Sequence, residues 1–377
     1  MKYYIIAGEA SGDLHAANLA RELIRQDPRA DLRGRGGDLM REAGVRVTRH
    51  YKEMAIMGFL TVLKNLRRVR KNLRECAAEI DAWQPDAVIL VDYGGFNLRL
   101  ARTLAARRSR VYYYISPKVW AWNTSRVRAI KRLVDRMYVI FPFEVDFYRA
   151  FDYTVHYAGN PLVDAIHQHP LQEETLEEFA AANRLPSKPV IALLAGSRAQ
   201  EIRHVLPKML RVVDRFPDFQ FVIAGAPSMT DADYAPYLRG RPVPVVHGQT
   251  YRLLRHSSAA LVTSGTATLE TALLRVPQVV CYSGEGGLLA YILFKLFVKV
   301  RYISLVNLIA GRPVVKELLM QQLTPRRLAR ALSLILAPPA RARLLLDYDE
   351  ISRLLGPPGA SSRVASLIIQ SLGRDQR

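Results

Sequence analysis

Cysteine is nearly absent. Cys76 and Cys281 are the only two in 377 residues, and they give neither a disulfide framework nor a metal-ligand spacing. Long apolar runs are missing as well. A transmembrane helix needs about 20 apolar residues in succession, whereas the best run, GGLLAYILFKLFV from Gly286, is shorter and carries Lys295. The opening MKYYIIAGEASGD does not read as a secretory signal, because its apolar stretch is short and runs into Glu9 and Asp13. No GxxxxGK[ST] is present, which argues against a P-loop nucleotide hydrolase. No HExxH and no DxD-like pair at a strand end points to a metal, and no cofactor is expected. His167 and His169 fall in a polar linker and read as solvated. Acidic residues are few beside basic ones, 34 against 54, for a net charge of +20. Such a surface attracts polyanions: nucleic acid, anionic lipid or phosphorylated substrates.

What is there is a large apolar content. Half of the residues are hydrophobic, which excludes disorder of the whole chain. Short apolar runs alternate with amphipathic stretches. Strands are expected at Tyr3–Ala7, Ala87–Val91, Val111–Ile115 and Tyr138–Phe141. Helices are expected at Leu14–Arg25, Phe59–Ala82, Leu98–Arg107 and Ser125–Val134. The pattern weakens over His167–Glu178 and restarts with strands at Val190–Leu194, Phe219–Ala224, Ala259–Val262 and Gln278–Tyr282, with a helix at Gln200–Phe216. From Pro325 the chain is helical, interrupted at Pro338–Pro339 and Pro357–Pro358. This βαβ alternation implies an α/β fold: two Rossmann-like doubly wound domains facing a cleft, followed by C-terminal helices. The expected divisions are 1–165, 166–345 and a helical tail, 346–377, that packs back on the first domain or on a partner subunit.

In parallel α/β sheets, ligands sit beyond the carboxyl ends of the strands. After the first strand come Gly8, Glu9, Ala10, Ser11, Gly12, Asp13, Leu14 and His15. The two glycines allow a tight turn, and the helix that follows offers free N–H groups to an anion. Ser11 or Asp13 is alternatively a helix N-cap, and His15 a packed surface histidine. Asp92 follows the strand Ala87–Val91, well placed for acid–base work or for capping the next helix. After Val111–Ile115 stands SPKVWAW, with Trp120 and Trp122. Aromatic faces of this kind stack on sugars, pack on acyl chains or fill an interdomain contact.

In the second half, Val190–Leu194 leads into Ala195, Gly196, Ser197 and Arg198, followed by Glu201. A Gly-Ser turn presents backbone N–H groups, and an arginine forks onto phosphate oxygens. Ala259–Val262 leads into Ser264, Gly265, Thr266, Ala267, Thr268, Leu269 and Glu270, another small-residue loop at a helix start. Together the two loops suggest a cradle for a nucleoside diphosphate, with Glu270 one turn into its helix and able to receive ribose hydroxyls.

The segment 59–74, FLTVLKNLRRVRKNLR, places Phe59, Val62, Leu63, Leu66, Val69 and Leu73 on one helical face and six basic residues on the rest. That suits an anionic membrane surface, or equally a core-packed helix with a solvated basic face. The stretch 286–302 is a second apolar segment flanked by Lys295, Lys299 and Arg301. Nucleic-acid binding would need stacking aromatics interleaved with the basic residues. Here they fall in different segments, so no nucleic-acid partner is expected.

The motifs GEASGD, DYGGFN, SPKVWAW, FPFE followed by Tyr148, GNPLVD, AGSRAQE, SGTATLE, SLVNLIAG and KELL occur in this order, and the chain resembles the lipid-A-disaccharide synthases. The resemblance runs from Ala7 to about Ala331. It implies a GT-B type inverting glycosyltransferase that joins UDP-2,3-diacylglucosamine to 2,3-diacylglucosamine 1-phosphate, without a metal, to give the β-1′,6 lipid A disaccharide phosphate and UDP. It further implies that Gly196, Ser197, Arg198, Ser264, Gly265 and Thr266 hold the UDP phosphates. Glu270, Asn307 and Glu317 would lie near the ribose, phosphates or donor sugar. The segment from Gly8 to His15, together with Trp120, would face the acceptor. A cytoplasmic enzyme at the inner-membrane surface is expected, possible as a homodimer. The same fold also hosts UDP-sugar 2-epimerases, against which SPKVWAW and the basic amphipathic segments speak. The chain departs from the family at DYGGFN. Many members read D-x-P-D-F-N, so Gly94 and Gly95 replace the proline and the second aspartate, the usual candidate base. Asn160 stands where histidine is common and Ala195 where proline is. Asp92 and, second, Glu9 are the remaining candidates for the base.

Overall fold

A computed structural model describes residues 1–54, 66–107, 109–122, 124–169, 174–283 and 301–374. They form two compact units, Met1–Asp164 with Pro357–Arg377, and Ala165–Gly356.

The first unit is built on a seven-stranded parallel sheet. Its strands are β1 (Lys2–Ala7), β2 (Asp31–Gly36), β3 (Arg46–His50), β4 (Ala87–Val91), β5 (Val111–Tyr114), β6 (Arg136–Val139) and β7 (His156–Tyr157), in the order β3-β2-β1-β4-β5-β6-β7. The central strands β1 and β4 are continuous apolar runs because both of their faces are covered. Alternate residues of β1 enter separate cores. Tyr3, Ile5 and Ala7 pack with Ala16, Leu19 and Leu23 of the helix Ala10–Gln26 and with Val364, Ala365 and Ile368 of the tail. Tyr4 and Ile6 pack with Cys76, Ile80, Leu100 and Leu104.

The tail helix Ala360–Arg374 thus completes the core of the first unit. Its N-terminus is fastened by Asp164, whose carboxylate accepts from the backbone N–H groups of Gly359 (2.6 Å), Ala360 (3.1 Å) and Ser361 (3.1 Å). Those donors would otherwise be orphaned at a buried helix start.

The second unit has a six-stranded parallel sheet of β8 (Val190–Leu194), β9 (Gln220–Gly225), β10 (Val245–His247), β11 (Ser257–Thr263), β12 (Gln278–Tyr282) and β13 (Lys316–Leu319). The order is β10-β9-β8-β11-β12-β13.

Several expected boundaries move. The first helix begins at Ala10 rather than Leu14, and the one after β4 at Gly94 rather than Leu98. The sixth strand is Arg136–Val139, two residues earlier than the apolar run suggested. The helix expected to reach Phe216 ends at Leu210. Of the expected helix Phe59–Ala82, the described part is Leu66–Trp83; residues 55–65 lie outside the described residues, as do residues 284–300.

Strands β2, β3, β7, β10 and β13 carry no apolar run that would announce them. β2 reads DLRGRG. Its Arg35 is fully buried, paired with Glu79 (2.5 Å) and bonded to the Asn72 carbonyl (3.1 Å). At Gly34 a Cβ would run into the Ile5 backbone, so only glycine lets β2 close on β1.

Candidate active site

Each sheet reverses its strand order at one place, between β1 and β4 in the first unit and between β8 and β11 in the second. At such a point the two flanking loops diverge and leave a crevice at the carboxyl ends. The candidate residues fall at both reversals: Glu9 after β1 and Asp92 after β4, then Gly196 and Ser197 after β8 and Ser264–Thr266 after β11.

In the first unit, Asp92 and Tyr93 both take left-handed backbone conformations, with φ of 46° and 49°. Two such non-glycine residues in succession store strain, and strain of this kind clusters at functional sites. The turn is held from behind. The Asp92 carbonyl accepts from the Tyr113 hydroxyl (2.5 Å) and from Asn97 Nδ2 (2.8 Å), and the Asp92 N–H donates to the Tyr114 carbonyl (3.0 Å). Among the described residues no other side chain donates to the Asp92 carboxylate. Burial, and then the charge of Glu9, push its carboxyl up to about 6, while Lys118 acts in the opposite direction. A carboxyl that titrates near neutrality in a strained turn is suited to taking a proton.

Glu9 occupies the residue just before the helix Ala10–Gln26 and caps nothing with its side chain. Ser11 Oγ donates to its Oε1 at 3.4 Å. Ser11, Gly12 and Asp13 lie inside the first turn of the helix, not in a loop before it. Asp13 therefore does not cap its own helix. It is buried and accepts from the N–H groups of Gly37 (2.6 Å), Leu39 (3.1 Å) and Met40 (3.3 Å), tying down the loop after β2. Burial pushes the imidazole of His15 down to about 4, and its Nδ1 has no partner among the described residues. It is a neutral, half-buried histidine.

Trp120 is 8% exposed and does not offer a free face for stacking. Its Nε1 donates to Glu144 Oε1 (3.1 Å), and its ring meets Phe143 edge-on, centroids 5.0 Å apart. Glu144, from FPFE, also accepts from Ser116 Oγ (2.6 Å) and the N–H groups of Ile140 (3.1 Å) and Phe141 (3.0 Å). SPKVWAW and FPFE are thus two halves of one buried network, with Glu144 as the shared acceptor. Asn160 joins the neighbouring loop by donating to the Ile140 carbonyl (2.8 Å).

In the second unit, the strand ends enclose a pocket of about 330 Å³. Gly196, Ser197, Ser264, Gly265, Thr266 and Glu270 line it, together with the Gly225–Pro227 loop and Thr250–Tyr251. Two further features prepare it for a polar ligand. The Thr263 hydroxyl, on its wall, is buried without a partner among the described residues. Gly196 (φ 124°) and Gly265 (φ 152°) adopt backbone conformations that favour glycine. Ser197 N–H donates to Glu201 Oε2 (2.9 Å), so a carboxylate already sits against this turn. Arg198 precedes the helix Ala199–Leu210, is 70% exposed and lies 3.9 Å from Glu201.

Asn307 and Glu317 do not line the pocket. Glu317 accepts from Ser304 N–H (2.9 Å), Ser304 Oγ (2.8 Å) and Asn307 Nδ2 (2.9 Å). Asn307 Oδ1 accepts from the N–H groups of Val314 and Val315. Ser264 Oγ donates to the Ile303 carbonyl (3.1 Å), so the pair supports the loop behind Ser264. Thr250 and Tyr251 escaped the sequence reading because the strand before them, β10, is three residues long; the small-polar GQT step after it is the only signal they carry.

The basic helix is described from Leu66. Cys76, Ala77 and Ile80 pack its apolar side into the first unit, while Arg67, Arg68, Arg70, Lys71 and Arg74 are exposed. Among the described residues no helix is long and apolar enough to cross a membrane, and no cluster of three or more His, Cys, Asp or Glu side chains is placed to hold a metal ion.

A family model described as lipid-A-disaccharide synthetase matches residues 3–352. A lipid-A-disaccharide synthase of Geobacter sulfurreducens is 39% identical over 98% of this chain and 97% of its own. One of Myxococcus xanthus is 38% identical over 98% and 97%. Among solved structures, UDP-GlcNAc 2-epimerase from Neisseria meningitidis, bound to UDP-GlcNAc, superposes with a TM-score of 0.70 at 13% identity, covering 98% of this chain and 100% of that one. CalG4, the calicheamicin glycosyltransferase, gives 0.61 at 18% identity, covering 100% and 99%. At such identities the structures share the fold alone.

Proposed function

The chain belongs to the lipid-A-disaccharide synthase family, and we propose that it joins UDP-2,3-diacylglucosamine to 2,3-diacylglucosamine 1-phosphate, releasing UDP and the β-1′,6-linked disaccharide phosphate. The observation that carries this is identity of 39% sustained over 98% of the chain. The epimerase alternative rests on structures that are 12–13% identical, a likeness of fold without substrate information.

The second-unit pocket is the donor site in this reading. The Ser264–Thr266 loop presents backbone N–H groups to the diphosphate, which also takes the Ser197 N–H from the Glu201 carboxylate; Arg198 forks onto its oxygens, and Glu270 accepts from the ribose. Asn307 and Glu317 act indirectly, by setting the Ser264 loop. The strained turn at Asp92 is the acceptor side. The acceptor 6-hydroxyl attacks the anomeric carbon from the face opposite UDP, and Asp92 takes its proton as the C–O bond to the donor sugar forms. As the bond to UDP breaks, charge gathers on the leaving diphosphate. The loop N–H groups and Arg198 would stabilise it there. Glu9 stands across the strand ends and raises the proton affinity of Asp92.

The exposed basic face at Arg67–Arg74 would draw the enzyme to the anionic inner-membrane surface where such lipids reside, at about 1 kcal/mol per basic residue near the surface. Co-sedimentation with anionic but not neutral vesicles, reversed by high salt, is the expected behaviour. Equal binding to neutral vesicles overturns the electrostatic account. The reaction itself is tested with purified full-length chain and both diacyl substrates, scored for disaccharide and UDP. Conversion of a UDP-sugar to its 2-epimer without disaccharide would overturn it.

A further inference from the structure

The wall of the second-unit pocket holds a tyrosine to which the reaction gives no role, hydrogen-bonded to the glutamate assigned to the ribose. Tyr251 stands in the helix Thr250–Arg255 after β10, and Glu270 in the helix Thr266–Leu273 after β11. Both line the pocket, and the Tyr251 hydroxyl donates to Glu270 Oε1 at 3.1 Å. We propose that Tyr251 is a positioning residue that locks the Glu270 carboxylate so that its other oxygen accepts the ribose hydroxyls of a bound uridine nucleotide, making the pair the determinant of ribose over deoxyribose. The proposal rests on the donor-site reading above.

Several observations support this. A carboxylate has lone pairs for several donors, and among the described residues Tyr251 alone donates to the Glu270 carboxylate, so capacity remains on a group that lines the cavity. A free glutamate samples several rotamers, and a ligand that had to freeze it would lose affinity in doing so. The Tyr251 bond freezes it beforehand. Tyr251 is itself held: the ring of His169 meets it at 64°, with centroids 5.1 Å apart. The bond also favours the acceptor form of Glu270. Burial pushes its carboxyl above the usual range, and the Tyr251 hydroxyl acts against that shift.

The test compares UDP with dideoxy-UDP, which lacks both ribose hydroxyls, by calorimetry on the full-length chain. The unmodified protein should bind UDP about tenfold or more tightly than the deoxy analogue, the scale of a hydrogen bond to a charged group. Tyr251→Phe keeps the ring but loses the hydroxyl. It should weaken UDP, leave the analogue unchanged and bring the two to within about threefold. Glu270→Gln should lose the same discrimination, and the double variant should lose no more than either alone, as expected of groups that act as a unit. Equal weakening of both ligands by Tyr251→Phe would mean that the tyrosine merely shapes the pocket, and retained discrimination would mean that it does nothing for the ribose. Either outcome overturns the proposal while leaving the donor site standing. If the unmodified chain binds neither ligand, the donor-site reading falls and this proposal with it.

Discussion

The ring of Tyr93 lies directly over Gly8, so close that a Cβ at Gly8 would overlap three of its ring atoms. Glycine at the end of β1 is what lets the turn after β4 fold across the β1 loop. That closure brings Asp92 within electrostatic reach of Glu9. Gly8→Ala should displace the Tyr93 ring, lower stability by about 1–3 kcal/mol as overpacking does, and lower turnover together with it. An alanine variant with unchanged melting temperature and unchanged rate would remove this contact from the account of the site.

Asp92→Asn should lower turnover by at least ~100-fold, the low end of general-base effects, with little change in UDP affinity. Glu9→Gln should be milder; the reverse ranking would exchange their roles. In the native enzyme the acid limb of the pH–rate profile should fall near 6, where the Asp92 carboxyl titrates.

The same substitution should stabilise the fold. The Asp92 carboxyl sits at about 6 in the folded chain, against ~3.9 when unfolded. The folded state therefore holds that proton more tightly. Relative stability is lost as pH rises between the two values and stays lost above the upper one. Asp92→Asn should raise unfolding free energy at neutral pH by about 1–3 kcal/mol and leave it unchanged well below pH ~4. Denaturant melts at both pH values measure this, and destabilisation at neutral pH would contradict the burial of a charged carboxylate.

Gly95 has open space around the position of a Cβ, with no heavy atom of the described residues within 4 Å beyond its chain neighbours and its own helix backbone, and it lies in the first turn of the helix Gly94–Ala105. An aspartate there meets no clash, gains helix propensity over glycine and complements the helix dipole, together worth up to about 1–2 kcal/mol. Gly95→Asp should therefore be at least as stable as the native chain and should restore a measurable part of the activity lost in Asp92→Asn. A well-folded double variant that stays inactive would show that a carboxylate at this position does not serve this chain as base.

Arg198 is exposed, and its nearest acidic partner, Glu201, is 3.9 Å away. Pairs of this kind contribute at most about 1 kcal/mol to stability. Losing a charged contact to the departing diphosphate costs about 2–4 kcal/mol of barrier. Arg198→Ala should thus melt close to the native temperature while transfer falls by two to three orders of magnitude, on the order of that barrier. Near-normal turnover would release Arg198 from its role.

The strands that are buried on both faces were legible in the sequence, because a parallel strand between two helical layers must be apolar throughout. β1, β4, β8 and β12 announce themselves that way, and the loops after β1, β4, β8 and β11 could be read as candidate sites from their small residues and carboxylates. The helix breaks at Pro338 and Pro357 were legible for the same local reason: proline lacks the N–H that a helix interior needs. The motifs SPKVWAW and FPFE were visible as strings, but not their meeting at Glu144, which is a contact between residues 24 or more positions apart. Trp120 looked like a stacking platform and proved to be a donor in a buried network. Asp13 looked like a helix cap and proved to fasten a different loop. β2 hid behind two arginines, since a buried arginine reads as surface until its partner Glu79 is seen. Tyr251 and Glu270 lie 19 residues apart on separate helices. Composition and local pattern determine what each segment prefers. Which polar group satisfies which is decided only when the sheets close, because an acceptor is chosen by distance in space and not along the chain.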